Sequence, residues 1–321
     1  MDNKNLTLGE YLDWWLETVV KGTNRYNTYV SYEGYTRNHI KRLIGGIPLA
    51  EMKTIEIQQF IGKLTEEKRL CARTVGAVAA MLRAALTFAE DCGYIDKNPY
   101  RRIKLPKVEE AETDTFTNEE QAKIERVILD SEDNRCYGIL LALYTGVRIG
   151  ELCALKWENV DVESRRIQIK ISLNRSPNRG NGSKKTKMEE REPKTRKSKR
   201  EIRIPGFLCN ILLRIKAESK SAYVFSMRNG RFVNPRTMQF LFRRILEKAK
   251  VSPRRFHSLR HAFTVRALEI GVDVKTVSDT LGHADATVTL NRYAHSLDEQ
   301  KLRMSDHLNS YFNDRNTGAF V

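Results

Sequence analysis

Residues 95–114 divide this chain in two and constrain its fold more than any other part of the sequence. They are mostly polar, contain Pro99 and Pro106, and interrupt the helical periodicity of the residues before them. Such segments are typical of linkers between domains, and 321 residues are enough for two ordinary domains. We therefore predict a first domain (1–94), a linker (95–114), a second domain (115–312) and a polar C-terminal tail (313–321).

The first domain has the pattern of a helical bundle. Thr7 and Glu10 have the spacing of a capping box. Apolar residues then recur at helical spacing in four stretches, which begin near Leu8, Thr28, Thr54 and Arg73. No stretch alternates apolar and polar residues as a half-buried strand does. The sequence predicts an all-helical first domain.

The second domain combines helices with a small β-sheet. Thr117 and Asn234 have the sequence context of helix N-caps. Residues 165–172 and 200–205 alternate apolar and charged side chains, and we predict that these two strands pair. Their connection, 173–199, is long for a hairpin, and we expect a basic functional loop there. The predicted fold class is mainly α with a small sheet.

Positive charge is concentrated in two segments of the second domain. The whole chain has 56 Lys and Arg against 40 Asp and Glu, a net charge of +16. Residues 173–203 contain 12 basic and 4 acidic side chains, and residues 226–266 contain 11 and 1. Charge placed this way favours a nucleic-acid-binding face over general solubility.

The sequence predicts neither secretion nor a metal site. No run of about 18 apolar residues is present, and the acidic N-terminus does not resemble a signal peptide. The five cysteines lack a Cys-x-x-Cys pair, which favours buried free thiols in a reducing cytoplasm. No group of potential ligands has the spacing of a zinc site. We predict a cytoplasmic protein without metal, cofactor or membrane contact.

Five residues of the second domain have complementary chemistry: Arg148, His257, Arg260, His283 and Tyr293. Arginines bind phosphates through planar paired donors, histidines transfer protons near neutral pH, and a tyrosine among cations can act as a nucleophile. Each residue alone has a plainer interpretation, such as core packing for the tyrosine or a surface ion pair for the first arginine. Together they fit phosphoryl transfer through a covalent enzyme intermediate.

In their order and spacing these motifs resemble the tyrosine recombinases, the phage integrase family of site-specific DNA recombinases. Residues 145–152, TGVRIGEL, resemble the first arginine motif of the family, and residues 257–261, HSLRH, resemble its His-x-x-Arg motif. Leu281-Gly282-His283, and Tyr293 within Asn-Arg-Tyr-Ala-His, resemble the last two motifs. The resemblance covers nearly the whole chain, from about residue 5 to residue 310.

The resemblance implies a role for each matching residue. Arg148 and Arg260 would clamp the scissile phosphate, and Tyr293 would attack it, leaving a 3′-phosphotyrosyl link and a free 5′-hydroxyl. No ATP or metal would be required. Three further residues complete the implied catalytic set. Lys194 would be the general acid, His257 would take part in proton transfer, and His283 would donate a hydrogen bond to the phosphate.

Several residues near these motifs are expected to have no catalytic role. Glu151 matches a position that supports the site structurally. His261 fits a supporting or core histidine better than a catalytic one. Lys187, Lys197 and Lys199 lie close to Lys194 in the sequence, and a solvated basic loop would account for all four lysines.

The family resemblance also implies an architecture and partners. An all-helical, SAM-like core-binding domain and a mixed α/β catalytic domain would form a C-shaped clamp on double-stranded DNA with specific core sites. Four protomers would handle two duplexes as a homotetramer, with accessory DNA-bending or directionality proteins as further candidate partners. The amphipathic segment 297–312 would dock on a neighbouring protomer.

Several alternatives remain open. Integrases of phages and conjugative transposons often carry an additional N-terminal domain, whereas this sequence begins at the core-binding domain, as a Xer-like recombinase or a shortened chain would. The basic connection 173–199 favours a mobile-element integrase of bacterial or phage origin. A type IB topoisomerase or hairpin-forming resolvase would use similar chemistry. A non-catalytic DNA-binding regulator or a basic RNA-associated protein would not need the complete set of site residues.

Overall fold

The computed structural model describes residues 6–66, 69–108, 115–177, 186–192, 199–282 and 296–315. The chain forms two compact units, Met1–Ala111 and Glu112–Val321. Each unit has its own hydrophobic core. The first is helical and the second combines helices with small sheets, which confirms the predicted fold class.

Helices dominate the first unit. Two of its longer helices continue through a π-helical turn, at Leu16–Val20 and at Thr36–Ile40, and a short 3₁₀ helix covers Leu49–Glu51. The α-helices are α1 (Leu8–Trp15), α2 (Lys21–Thr23), α3 (Tyr26–Tyr35), α4 (Lys41–Leu43), α5 (Thr54–Glu66) and α6 (Ala72–Asp91).

Local capping and a long-range hydrogen bond fix α1. The predicted capping box is present, since the Glu10 N–H donates to Thr7 Oγ1 at 3.3 Å and the Thr7 N–H donates to Glu10 Oε2 at 3.0 Å. The fully buried Tyr11 donates its hydroxyl to the Ala85 carbonyl at 2.7 Å. This bond ties α1 to α6 and satisfies a polar group inside the core.

Helix α6 forms the centre of the first unit. Val78, Met81, Leu82, Ala85 and other residues on one side of it are fully buried. Among the described residues, α6 is the one helix that is long and apolar enough to cross a membrane, judged by length and composition alone. The sequence pattern did not predict such a helix. Its packing in the core of the unit provides a sufficient physical reason for this composition.

Part of the predicted linker is hydrogen-bonded to α5. Thr54 Oγ1 donates to the Pro99 carbonyl at 2.8 Å. The Gln58 amide pairs with the backbone of Lys104, donating to its carbonyl at 3.1 Å and accepting from its N–H at 2.9 Å. The chain as far as Lys104 is therefore attached to the first unit.

The second unit contains helices, two small antiparallel sheets and a 3₁₀ helix at Trp157–Asn159. Its α-helices are α7 (Asn118–Leu129), α8 (Cys136–Thr145), α9 (Ile149–Cys153), α10 (Gly206–Glu218), α11 (Pro235–Lys248), α12 (Ser258–Glu269), α13 (Val274–Leu281) and α14 (Ser296–Arg315). Its strands are β1 (Val160–Asp161), β2 (Arg166–Ile169), β3 (Ser172–Pro177), β4 (Thr186–Arg191) and β5 (Arg200–Arg203).

The predicted strand pair is present as β2 and β5. Ile167 lies opposite Ile202, both buried, and β1 extends this sheet on the other side of β2. The first predicted strand ends earlier than expected, at Ile169, because a new strand begins at Ser172.

The prediction of a loop over residues 173–199 is wrong where the structure describes the strands, because residues 173–177 of β3 and residues 186–191 of β4 pair there as a hairpin. Its strands contain few apolar residues and so lack the alternation that marks a half-buried strand. Ser176 Oγ and the Arg191 guanidinium both donate to the Glu189 carboxylate instead, at 2.8 and 2.6 Å. The first of these bonds crosses the hairpin and the second lies within β4, so polar contacts replace the apolar signal.

The core of the second unit is built around α8, which is apolar on every side and almost entirely buried. Helix α12 packs against it. The buried cysteines Cys136, Cys153 and Cys209 all lie in this core. Cys71 and Cys92 are exposed, so the prediction of buried thiols is wrong for these two.

Candidate active site

A sharp turn after α8 places Arg148. Gly146 ends that helix in the left-handed conformation, at φ +65°. A Cβ atom here would lie 2.6 Å from Leu281 Cδ2 and 2.7 Å from Phe263 Cδ1, so α13 and α12 leave no room for a side chain. Arg148 then occupies the position before α9 with an extended backbone.

Arg148 is held at one edge by Glu151. Its Nη1 donates to Glu151 Oε1 at 2.9 Å, and its backbone N–H donates to Glu151 Oε2 at 2.9 Å. The Arg148 side chain is nevertheless 39% exposed. A guanidinium held by a protein carboxylate and open to solvent is suited to bind an anionic ligand.

Glu151 is a buried carboxylate between two arginines. Its side chain is only 3% exposed, and Arg200 grips it through Nη1 and Nη2 at 3.0 and 2.9 Å. Burial acts to raise the pKa of Glu151, but the hydrogen bonds and charges of Arg200, and then of Arg148, lower it overall. The carboxylate is therefore ionised, and two guanidiniums with one carboxylate leave a net positive charge.

Arg260 connects the first arginine motif to the end of α13. Its guanidinium donates to the Gly146 carbonyl and to the Leu281 carbonyl, each at 2.7 Å, and the residue is 3% exposed. Arg200 makes a parallel connection, because its Nε donates to the Thr280 carbonyl at 2.6 Å. These contacts hold the first arginine motif, the start of β5, the His-x-x-Arg motif and the residues just before His283 together.

The two histidines of the HSLRH segment lie one helical turn apart at the beginning of α12. His257 is exposed, whereas His261 is half-buried. Their rings are nearly perpendicular, with centroids 4.7 Å apart. His257 is the more accessible of the two to a substrate.

The structure describes three of the six predicted site residues. Arg260 donates to the carbonyl of Gly146, two residues before Arg148, and His257 is the N-cap of α12, three residues before Arg260. Lys194, His283 and Tyr293 lie outside the described residues, and their roles stay predictions.

Arg200 is a site residue that the sequence motifs did not reveal, because in the sequence it counts only as one charge of the basic segment 173–203. A signal for it exists in the sequence. Glu151 lies in the apolar stretch Ile149–Leu155, and a buried carboxylate requires a cationic partner. The sequence does not say which of the many basic residues supplies it.

Comparison with protein families matches residues 115–300 to the phage integrase family and residues 7–65 to the phage integrase N-terminal SAM-like domain. A XerC-like tyrosine recombinase of Caldanaerobacter subterraneus subsp. tengcongensis is 32% identical over 97% of this chain and 85% of its own length. The integrase of Staphylococcus phage L54a is 26% identical over 95% of this chain and 93% of its own length.

Solved structures share the fold. The Tn1549 transposon integrase, solved in complex with a circular intermediate DNA, superposes with a TM-score of 0.80 at 23% identity, covering 94% of this chain and 99% of that one. A lambda integrase dimer bound to a core site gives 0.68 at 20% identity, covering 91% and 78%. The family match spans more than half of the sequence, and the XerC-like relative aligns along almost all of it. The chain therefore belongs to the phage integrase family and is a tyrosine-type site-specific DNA recombinase.

Proposed function

We propose that Tyr293 cleaves one DNA strand at a specific core site, and that Arg148 and Arg260 neutralise the scissile phosphate during the attack. The observation that carries this proposal is the arrangement around Gly146. Two arginines from separate motifs are fixed there by short hydrogen bonds, and the group retains a net positive charge. Fixed guanidiniums stabilise the charge that develops on the non-bridging oxygens in the transition state.

The other predicted residues supply the proton transfers. Lys194 protonates the leaving 5′-oxygen, His257 assists proton transfer, and His283 donates a hydrogen bond to the phosphate. An unperturbed tyrosine phenol has a pKa near 10, so attack by Tyr293 near neutral pH would depend on activation by the cations of the site. The exposed ring of His257 at the start of α12 supports its role.

The proposed substrate is double-stranded DNA, handled by four protomers. Residues 1–94 would bind the core site, residues 115–312 would carry the chemistry, and residues 95–114 would link the two. The lambda integrase has been solved as a tetramer bound to a Holliday junction, which supports a homotetramer for this chain as well. Accessory DNA-bending proteins would act on the same DNA, in the cytoplasm.

Integration and excision of a mobile element is the biological role that we favour, because phage and transposon integrases are among the relatives. A Xer-like resolution of chromosome or plasmid dimers is the second candidate, supported by the XerC-like relative at 32% identity. Plasmids that carry two directly repeated core sites distinguish this enzyme from a topoisomerase, because only a recombinase excises the intervening DNA.

A nicked suicide duplex tests the chemistry. The core site is first selected from random-sequence duplexes by repeated binding, and nicks are then placed at successive positions. We expect the wild-type protein to form a covalent complex in the presence of EDTA, and Tyr293→Phe to form none, because the phenylalanine has no nucleophilic oxygen.

Tyr144→Phe is the matched control, because it removes a phenol oxygen from the same unit, where Tyr144 bonds to Glu125 at 2.7 Å. It should form the adduct at the wild-type rate. A wild-type protein that binds the selected site but forms no adduct at any nick position would contradict the proposal, as would an adduct that persists in Tyr293→Phe.

A further inference from the structure

Arg200 has the contacts of a residue that organises the site without touching the substrate. Its side chain is 5% exposed, compared with 39% for Arg148. All three of its guanidinium nitrogens donate to protein acceptors, which are the two oxygens of Glu151 and the Thr280 carbonyl. Arg200 thus directs all three of its guanidinium nitrogens towards protein acceptors, and we expect it to affect the reaction through its neighbours.

The neighbour that matters is Arg148, because both arginines bind the same carboxylate. Glu151 accepts two bonds from Arg200, one from the Arg148 side chain and one from the Arg148 backbone. Arg200 therefore supplies most of the positive charge that balances this buried group. Arg148 makes one side-chain bond to it and keeps the rest of its charge towards solvent.

Removal of Arg200 would change this balance. A buried carboxylate that loses one cationic partner interacts more strongly with the remaining one, because the low-dielectric surroundings screen the attraction poorly. Arg148 would bind Glu151 more strongly, and its guanidinium would stabilise an anion in the site less well. The end of α13 would also lose the bond that joins Thr280 to this motif.

We propose that Arg200 is a positioning residue for DNA cleavage: it neutralises Glu151 so that the charge of Arg148 stays available for the scissile phosphate. The inference rests on the proposed role of Arg148 in the reaction. Arg200 is the first residue of β5, and its buried side chain bonds both to Thr280 on α13 and to Glu151 in the first arginine motif.

Arg200→Lys tests the proposal on the nicked suicide duplex selected by the wild-type protein. A lysine keeps the charge, but its single ammonium cannot bind both oxygens of Glu151 and the Thr280 carbonyl at once. The carboxylate oxygen that the lysine leaves less well paired then attracts Arg148 more strongly. We expect single-turnover cleavage to slow by about tenfold or more. The affinity for the same duplex should change by less than about threefold, because Arg200 does not touch DNA.

The matched control is Arg135→Lys. Arg135 also grips a carboxylate through two nitrogens, that of Asp133, in the same unit and outside the site motifs. This variant should cleave at the wild-type rate. Thermal unfolding of both variants shows whether a loss of rate is simply a loss of folded protein.

A double-mutant cycle with Arg148→Lys separates positioning from a general structural role. If Arg200 acts through Arg148, Arg200→Lys should slow the Arg148→Lys protein by clearly less than it slows the wild type. Equal slowing in both backgrounds would overturn the proposal, and so would wild-type cleavage by folded Arg200→Lys.

A second variant covers the case in which Arg200→Lys does not fold. Glu151→Leu combined with Arg200→Met replaces the buried ion pair by apolar side chains, an exchange that other proteins tolerate. Because this variant removes the carboxylate together with its partner, nothing draws Arg148 away from the phosphate, and the proposal expects cleavage within about threefold of the wild-type rate. Cleavage slowed by about tenfold or more in the folded variant, or unfolding of this variant too, overturns the proposal. Failure of the wild-type protein to form any adduct would instead contradict the proposed function.

Discussion

Gly146 has a backbone conformation and a close packing that no other residue type could adopt without strain. Its left-handed conformation turns the chain from α8 towards Arg148, and its carbonyl accepts a bond from Arg260. Leu281 and Phe263 occupy the space where a Cβ would be. One glycine therefore serves the turn, the packing and the orientation of the second arginine.

Gly146→Ala should destabilise the second unit more than substitution of a left-handed glycine normally would. The backbone conformation costs an alanine about 1 kcal/mol, and the overlap with Leu281 and Phe263 should add about 1–3 kcal/mol. Urea unfolding measures the sum. Gly230→Ala is the control, because Gly230 has a φ of +74° with open space around it. Equal losses in the two variants would show that α12 and α13 move aside without cost.

At the scale of elements, the β3–β4 hairpin is attached to the unit by a small polar cluster. Glu190 on β4 accepts a bond from the Tyr223 hydroxyl at 2.5 Å and from Lys156 Nζ at 3.0 Å. Burial, together with the bond to Glu190, raises the pKa of Tyr223 to about 12, so the phenol remains a donor at neutral pH. Glu190 lies only a few residues before Lys194 in the sequence.

Tyr223→Phe should loosen β4 specifically. The loss of one hydrogen bond to a charged group costs about 1–2 kcal/mol, and the backbone amides of residues 186–191 should exchange with deuterium faster. Tyr144→Phe is a matched control, because it removes a similar tyrosine bond, to Glu125 at 2.7 Å, far from the hairpin in sequence. Unchanged exchange in Tyr223→Phe, or equally faster exchange in the control, would contradict this role for the cluster.

At the scale of the whole molecule, the two units differ in charge as well as in fold. Residues 1–104 carry 16 basic and 12 acidic side chains, whereas both strongly basic segments belong to the second unit. Each unit also has a separate hydrophobic core, so each has the packing needed to fold alone.

Residues 112–321 should therefore retain most of the salt-dependent affinity for random-sequence DNA. The logarithm of the binding constant falls with that of the salt concentration, by about 0.9 for each phosphate contact. Fluorescence anisotropy with a labelled duplex should show a steeper slope for residues 112–321 than for residues 1–111. Circular dichroism of both fragments controls for folding. An equal or steeper slope for residues 1–111 would place the main phosphate contacts in the first unit instead.

Features that depend on near neighbours in the chain can be predicted from residue type and spacing. The caps at Thr7, Thr117 and Asn234 involve residues within three positions, and the β2–β5 pair shows as simple alternation. The order of the recombinase motifs was readable as well. Each of these signals lies within a short stretch of chain, where geometry follows directly from residue type and spacing.

Contacts between residues that are distant in the chain depend on how the whole unit packs. Arg200 finds Glu151 across 49 positions, and Arg260 finds Gly146 across 114. The chain has 56 basic residues, and nothing in their spacing singles out the one that faces a buried carboxylate. The β3–β4 hairpin lacks a sequence signal for a related reason, since its polar strands are held by cross-strand bonds between Ser176 and both Glu189 and Arg191. Such contacts form because the packing of the whole unit brings the partners together and excludes water from between them.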